Sequence, residues 1–114
     1  MDRRVQQVIE LLQREWRSQH RVQDLASAVN LGPSRLEHLV RRHANTSIRD
    51  LVRRRRVIEA ARLLVTTKKR ISEISYYVGF SDVSNFNHVF RRELGLSPSE
   101  YREREAADGN PSPP

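Results

Sequence analysis

Cysteine is absent from the 114 residues. That excludes disulfides, thiolate zinc sites and cysteine nucleophiles, and it fits a protein of the reducing cytoplasm. Glycine and proline number only four and five. Four of the five prolines fall at or after Pro98, so the strongest breakers of helix are nearly missing from the body of the chain. Aromatic residues make up 6 %. No run of 18 apolar residues occurs, which excludes a transmembrane helix. The opening MDRRVQQVIELL lacks the apolar core of a signal peptide. What remains, 37 % hydrophobic and 31 % charged residues, predicts an all-α body, either one small domain or two very small lobes sharing a core.

Acids are scarce where bases cluster. The net charge is +7, and residues 35–70 hold twelve Lys/Arg against three acids, net +9. Residues 1–34 hold five Arg against four acids, net +1, and residues 71–114 hold four Arg against seven acids, net −3. A basic excess concentrated in one stretch points to nucleic acid as partner. A solvated surface and attraction to acidic lipids are the alternatives.

The most basic stretch, Ser47–Thr66 (SIRDLVRRRRVIEAARLLVT), contains neither Gly nor Pro and is rich in Ala, Leu, Arg and Glu, which predicts one long helix over 47–66. Ser47 is its cap, with Asp50 three residues on. Arg49, Arg53, Arg54, Arg55 and Arg56 crowd its first half. From Val57 onward, Val57, Ile58, Ala60, Ala61, Leu63, Leu64 and Val65 point nearly all round the axis. Such a helix is expected to be buried on more than one side and to join two lobes.

Before it, residues Asp2 to Gln19 are expected to form a first helix, with Val5, Val8, Ile9, Leu12 and the core aromatic Trp16 at three- and four-residue steps. Leu25, Ala26 and Val29 make a short second helix face, broken at Asn30-Leu31-Gly32, where Asn and Gly tolerate the left-handed backbone. Gly32 is an N-cap and Pro33 suits the first helical position. The next helix is expected to bury Leu36, Leu39, Val40 and His43. At 100° per residue, its opposite face carries Ser34, His38 and Arg41, flanked by Arg35, Glu37 and Arg42. This is the layout of a helix-turn-helix. Ser34, Arg35 and His38 lie in the early turns, where a recognition helix meets base edges.

After the long helix and the basic connector Lys68-Lys69-Arg70, which is either solvated or phosphate-bound, the pattern returns. Ile71, Ile74, Ser75 and Val78 form a short face. Gly79 is the turn residue and Ser81 the expected cap. The next helix is expected to bury Phe86, Val89 and Phe90. Leu36, Leu39, Val40, Arg41 and Arg42 correspond to Phe86, Val89, Phe90, Arg91 and Arg92 at an offset of 50, while before the turn the offset is 49. The second turn is therefore one residue longer, and the chain contains an internal repeat. The outward face of the second copy carries Ser84, His88 and Arg91, flanked by Asn85, Asn87 and Arg92. Gly95 ends that helix. Ser97 and Glu100 form a capping box around Pro98, starting a last helix with Tyr101. Residues 106–114 have no periodicity and are expected to be a disordered tail.

The segment VGFSDVSNFNHVFRRELGLSPSEYR closely resembles the second helix-turn-helix signature of AraC/XylS-type bacterial transcription regulators, in the spacing of Gly79-Phe80, Phe86, Phe90, Gly95, Pro98 and Tyr101-Arg102. Leu25-Ala26, Leu36, Arg56, Ala60 and Leu63-Leu64 fit the first half and the joining helix. Ser75 stands where that family usually has Ala. The resemblance covers about residues 5–103 and implies a domain over 1–105. Its parts are a first lobe at about 5–45, a linking helix at 47–66 and a second lobe at about 71–103. It implies double-stranded DNA of a promoter or operator as partner, read in two adjacent major grooves, and promoter regulation, usually activation, through RNA polymerase. It implies no cofactor and no membrane. Most members carry a separate ligand-sensing domain, and none is visible in this sequence. The chain is thus either a small stand-alone regulator or the C-terminal part of a larger one.

On these grounds the expected base contacts are Ser34, Arg35, Glu37, His38, Ser84, Asn85, Asn87 and His88. The expected phosphate contacts are Arg41, Arg42, Arg91, Arg92, Ser81 and Lys68. Arg56 can bind phosphate or be buried in a pair with an acid such as Asp24 or Glu73. Catalysis is not expected. The histidines His20, His38, His43 and His88 offer no metal-spaced pair with a third ligand, and Ser34 and Ser84 have no His/Asp partners. The alternative to a sequence reader is an adaptor that binds protein and touches DNA only non-specifically.

Overall fold

A computed structural model describes residues 2–107; the expected tail beyond Ala107 lies outside them. Seven helices are described: α1 (Arg3–Arg14), α2 (Val22–Ala28), α3 (Pro33–Ala44), α4 (Ile48–Thr66), α5 (Ile71–Tyr77), α6 (Val83–Leu94) and α7 (Pro98–Ala107). Ala106 and Ala107, expected in the tail, continue α7. The chain divides into two compact units, Met1–Arg55 and Arg56–Pro114. Helix α4 supplies its first turns to one and the rest to the other. None of the described helices is long and apolar enough to cross a membrane.

In the first unit, Val5, Val8 and Leu12 of α1 recur at helical spacing and are buried with Leu25, Ala26, Leu36, Leu39, Val40 and Ile48. Asp2 caps α1 by accepting from the Arg4 N–H at 2.8 Å. The helix ends earlier than its periodicity predicts. Glu15 is already its C-cap, and the Glu15 carbonyl meets the Ser18 N–H at 3.1 Å and a His20 ring nitrogen at 2.9 Å. The Ser18 bond spans three residues instead of four and closes a turn in place of the next helical bond, and the His20 ring takes the same carbonyl from five residues on. Trp16 is therefore a half-buried turn residue and not part of the helical stripe.

The second unit is built on aromatics. All three phenylalanines of the chain lie in it. Phe80 meets Phe86 at 5.3 Å between ring centroids, Phe86 meets Phe90 at 5.6 Å, and Phe90 meets Tyr101 at 5.6 Å. These tilted and edge-on contacts suit the ring quadrupoles, and they run from the turn through α6 to α7. Within α4, Val57, Ala60, Ala61 and Leu64 are buried. They form one stripe at three- and four-residue steps, while Ile48, at the start of the same helix and about 180° round its axis, is buried in the core of the first unit. The helix is thus buried on more than one side, but from Val57 onward the expectation of burial nearly all round is corrected: Ile58 is 51 % exposed.

The two helix-turn-helix turns are copies. In the first, Leu31 N–H donates to Ala26 O at 2.9 Å and Asn30 takes φ 58°. In the second, Phe80 N–H donates to Ser75 O at 3.0 Å and Gly79 takes φ 104°. Each is a six-residue closure around one left-handed residue. Ser75 occupies the tight position of Ala26. Both are fully buried, and the Ser75 hydroxyl has no hydrogen-bond partner.

The two buried positions predict opposite outcomes. Phe90→Ala should destabilise the domain by about 3–5 kcal/mol, because it removes a buried ring and leaves a cavity. Ser75→Ala should raise stability by up to about 1 kcal/mol, because it removes an unsatisfied hydroxyl. Denaturant titration of both variants measures this. A Ser75→Ala chain weaker than the parent would mean that the hydroxyl is satisfied by buried water.

Candidate nucleic-acid interface

Helix α3 leaves its turn through Gly32, an extended N-cap, with Pro33 at the first position. Burial of Leu36, Leu39 and Val40 fixes the rotation of the helix about its axis. The opposite face then has no freedom. Ser34, His38 and Arg41 line up at steps of four and three. They are exposed together with Arg35 and Arg42, while Glu37 at the flank is half-buried. His43 was expected inside and is exposed. By phase it falls within about 20° of Leu36, on the buried stripe, but it stands in the last turn of α3, one residue before the helix ends at Ala44. Asn45 ends the helix in the left-handed region at φ 56°.

Helix α6 repeats the arrangement. Phe86, Val89 and Phe90 are buried. Ser84, Asn87, His88, Arg91 and Arg92 are exposed, and Asn85 is half-buried. The cap is not Ser81 but Asp82, whose Oδ1 accepts the Asn85 N–H at 2.6 Å. A carboxylate serves this role better than a hydroxyl because it also meets the positive end of the helix dipole. Ser81 is the additional residue of the longer turn and stands exposed before the cap. The repeat itself held the missed signal: at an offset of 50, Asp82 falls on Gly32.

Other candidate groups stand in solvent. Lys68 is exposed beyond the end of α4. Arg91 lies 3.7 Å from Glu100, and Arg92 lies 3.7 Å from Glu93. Exposed pairs of this length hold weakly. In α4, Arg54 is exposed and Arg53 is half-buried. Arg56 is half-buried too and donates from Nη1 to the Gly79 carbonyl at 3.0 Å. Burial pushes its pKa below the usual arginine value. Arg102 was matched only by resemblance, yet it has a clear structural task. Its Nε donates to Leu64 O at 2.9 Å and its Nη2 to Thr67 O at 3.3 Å, so it closes the carbonyl end of α4.

The sequence matches the helix-turn-helix domain family over residues 25–104. The Msm operon regulatory protein of Streptococcus mutans is 36 % identical over 99 residues, which is 87 % of this chain and 36 % of that protein. The arabinose operon regulatory protein of Salmonella typhimurium is 35 % identical over 103 residues, 90 % of this chain and 37 % of that protein. The chain thus spans little more than a third of the length of these curated relatives. Among solved structures, the DNA-binding domain of the global transcriptional factor AdpA, in complex with a target DNA, superposes with a TM-score of 0.82 at 25 % identity. The match covers 91 % of this chain and 94 % of that one.

The cap of α7 gives this surface a predicted pH response. Ser97 N–H donates to Glu100 Oε1 at 2.8 Å, and Glu100 N–H donates to Ser97 Oγ at 3.1 Å. The Ser97 backbone bond, then its side chain, and last the charge of Arg91 hold the Glu100 carboxyl below its usual range. A carboxyl whose pKa is depressed on folding stabilises above its unfolded value, about 4.3, and the gain is lost as pH falls through the folded value. The difference in thermal midpoint between the parent and Glu100→Gln should therefore be present at about pH 6 and shrink as pH falls below the ordinary carboxyl range. A difference independent of pH would remove the carboxylate from the cap.

Proposed function

The chain belongs to the AraC-type family of helix-turn-helix DNA-binding domains, and we propose that it reads double-stranded DNA by sequence as the DNA-binding part of a transcription activator. The observation that carries this reading is the twofold display of one polar face. Helices α3 and α6 each bury an apolar triad and present serine, histidine and arginine on the far side. One such helix is compatible with many roles. Two copies at matched positions in one chain suit a linear, repeating partner.

In this reading Ser34, Arg35, Glu37, His38, Ser84, Asn85, Asn87 and His88 face base edges. Asn87 is suited to adenine N6 and N7, Arg35 to guanine O6 and N7, and Glu37 to cytosine N4. Arg41, Arg42, Arg91, Arg92, Ser81 and Lys68 take phosphates, which supply affinity and register but no sequence information. The domain comprises residues 1–105, with recognition helices in two adjacent major grooves about 34 Å apart. The task is binding and not catalysis, and it is carried out in the cytoplasm. Sensing of a signal by a further domain and contact with RNA polymerase belong to the proposal for the whole regulator. One relative covering 86 % of this chain is a lactose operon transcription activator of Staphylococcus xylosus.

Selection of bound sites from random DNA tests this directly. The selected site should be asymmetric, since α3 and α6 differ in sequence, and it should bind about a thousandfold or more tighter than random DNA. Insertion of about five base pairs, half a helical turn, between its halves should reduce affinity to that of one lobe. An undiminished affinity after insertion leaves a single reading lobe. A specific-to-random ratio near one leaves the protein-binding adaptor in its place.

A further inference from the structure

We propose that Arg56 is a positioning residue for the second recognition helix: its guanidinium, lying flat beneath Gly79, sets the path by which the chain enters α6 and so the bases that α6 meets. This rests on the reading of α6 as a base reader. Arg56 itself touches no base in the proposal and acts through the turn.

Three observations converge on this pair. The first is the close approach. A Cβ built on Gly79 would lie 2.8 Å from Arg56 Cζ, 3.0 Å from Nε and 3.0 Å from Nη1. Three guanidinium atoms at nearly one distance mean that the group turns its face to the Gly79 Cα. The second is the hydrogen bond. Gly79 sits after the end of α5 and before the cap of α6, so no helix ladder takes its carbonyl; Arg56 Nη1 donates to it at 3.0 Å. The third is the conformation. Gly79 is at φ 104°, further from the ordinary left-handed well than Asn30 at φ 58° in the matching turn. Asn30 carries its own Cβ. In the second turn that place is filled by Arg56 instead.

The chemistry of the side chain suits the task. A guanidinium is planar and weakly hydrated and holds its donors in a fixed fork, so it can pack against a Cα and donate to the adjoining carbonyl at once. An ammonium can do only the second. From Gly79 the chain passes through buried Phe80 to Asp82, the N-cap of α6. A shift at residue 79 is therefore passed through two anchored residues to the start of the recognition helix. Base readout tolerates displacements of only about 0.5 Å, so outer positioning groups of this kind decide specificity.

The test uses the full chain carrying Arg56→Lys or Arg56→Met. Affinity is measured at several salt concentrations, below the unfolding midpoint, on the selected site, on random DNA, and on versions with either half scrambled. Both variants should lose about tenfold in discrimination against scrambling of the α6 half, about the worth of one base pair. Discrimination at the α3 half, affinity for random DNA and salt slope should hold. Amide exchange at Phe80 and Asn85, read without DNA, should speed up in both. A salt slope that drops by about one in Arg56→Met and returns in Arg56→Lys would make Arg56 a phosphate ligand and overturn the proposal. A lowered midpoint with unchanged discrimination at both halves would reduce it to a stabilising contact, and would overturn the proposal equally. If Arg56→Met does not fold, Arg56→Lys decides by the same measurements. Loss of the proposed function itself would look different, since the parent chain would then discriminate at neither half.

Discussion

A residue in the left-handed region, four positions after a residue small enough to be overlaid by the returning chain, is the constraint on which each unit depends. In the first turn these are Asn30 and Ala26, and in the second Gly79 and Ser75. Once the Leu31 and Phe80 amides close on Ala26 and Ser75, the entry of α3 and α6 is set. The buried triads Leu36-Leu39-Val40 and Phe86-Val89-Phe90 then fix each helix about its axis, and the outward faces follow with nothing left to choose. The polar face of each helix is thus a consequence of how its apolar face is held. Ser75 is the larger of the two small residues found at the overlaid position, and its added hydroxyl is buried without a partner.

Much of this was legible because two periodicities coincided, that of the helix and that of the repeat. The offset of 49 before the turn and 50 after it located Asn30 opposite Gly79 and placed the longer turn correctly. Most departures came where only the helical period was available. Trp16 continues the stripe of Val8 and Leu12, yet the chain turns at Glu15, since a carbonyl captured by Ser18 and His20 leaves no trace in apolar spacing. Ile58 has the composition of a core residue, but Val57, Ala60, Ala61 and Leu64 already fill the buried stripe, and Ile58 points away from it. Ser81 looked like the cap because serine caps are common. Asp82, with a carboxylate at the same end of the helix, outcompetes it.

The run Arg53–Arg56 illustrates what composition hides. Four consecutive helical residues sweep about 300°, so they cannot all face solvent on a helix with a buried stripe. Arg54 stays exposed, while Arg53, Arg55 and Arg56 are half-buried, and Arg56, one turn before buried Ala60, reaches the Gly79 carbonyl. A cluster of like charges is therefore not one feature. Part of it adds to the basic surface, and part is structural, with Arg56 donating to a main-chain carbonyl. A backbone acceptor has no residue type to search for, so a sequence that offers acids such as Asp24 or Glu73 as partners does not show it.

The Arg102 contacts give the two units different points of completion along the chain. Everything that closes the first core lies between Val5 and Val52, so that core can assemble while later residues are still being added to the chain. The second cannot. The carbonyl end of α4 receives its donor from a residue 38 positions further on, and Phe90 receives Tyr101 from the same last helix. A chain growing from its N-terminus therefore completes the first unit while the second stays open until the last helix of that unit has been made. For that interval the ladder of Phe80, Phe86 and Phe90 lacks the partner that the last helix brings, and apolar surface left uncovered in this way is prone to wrong partners.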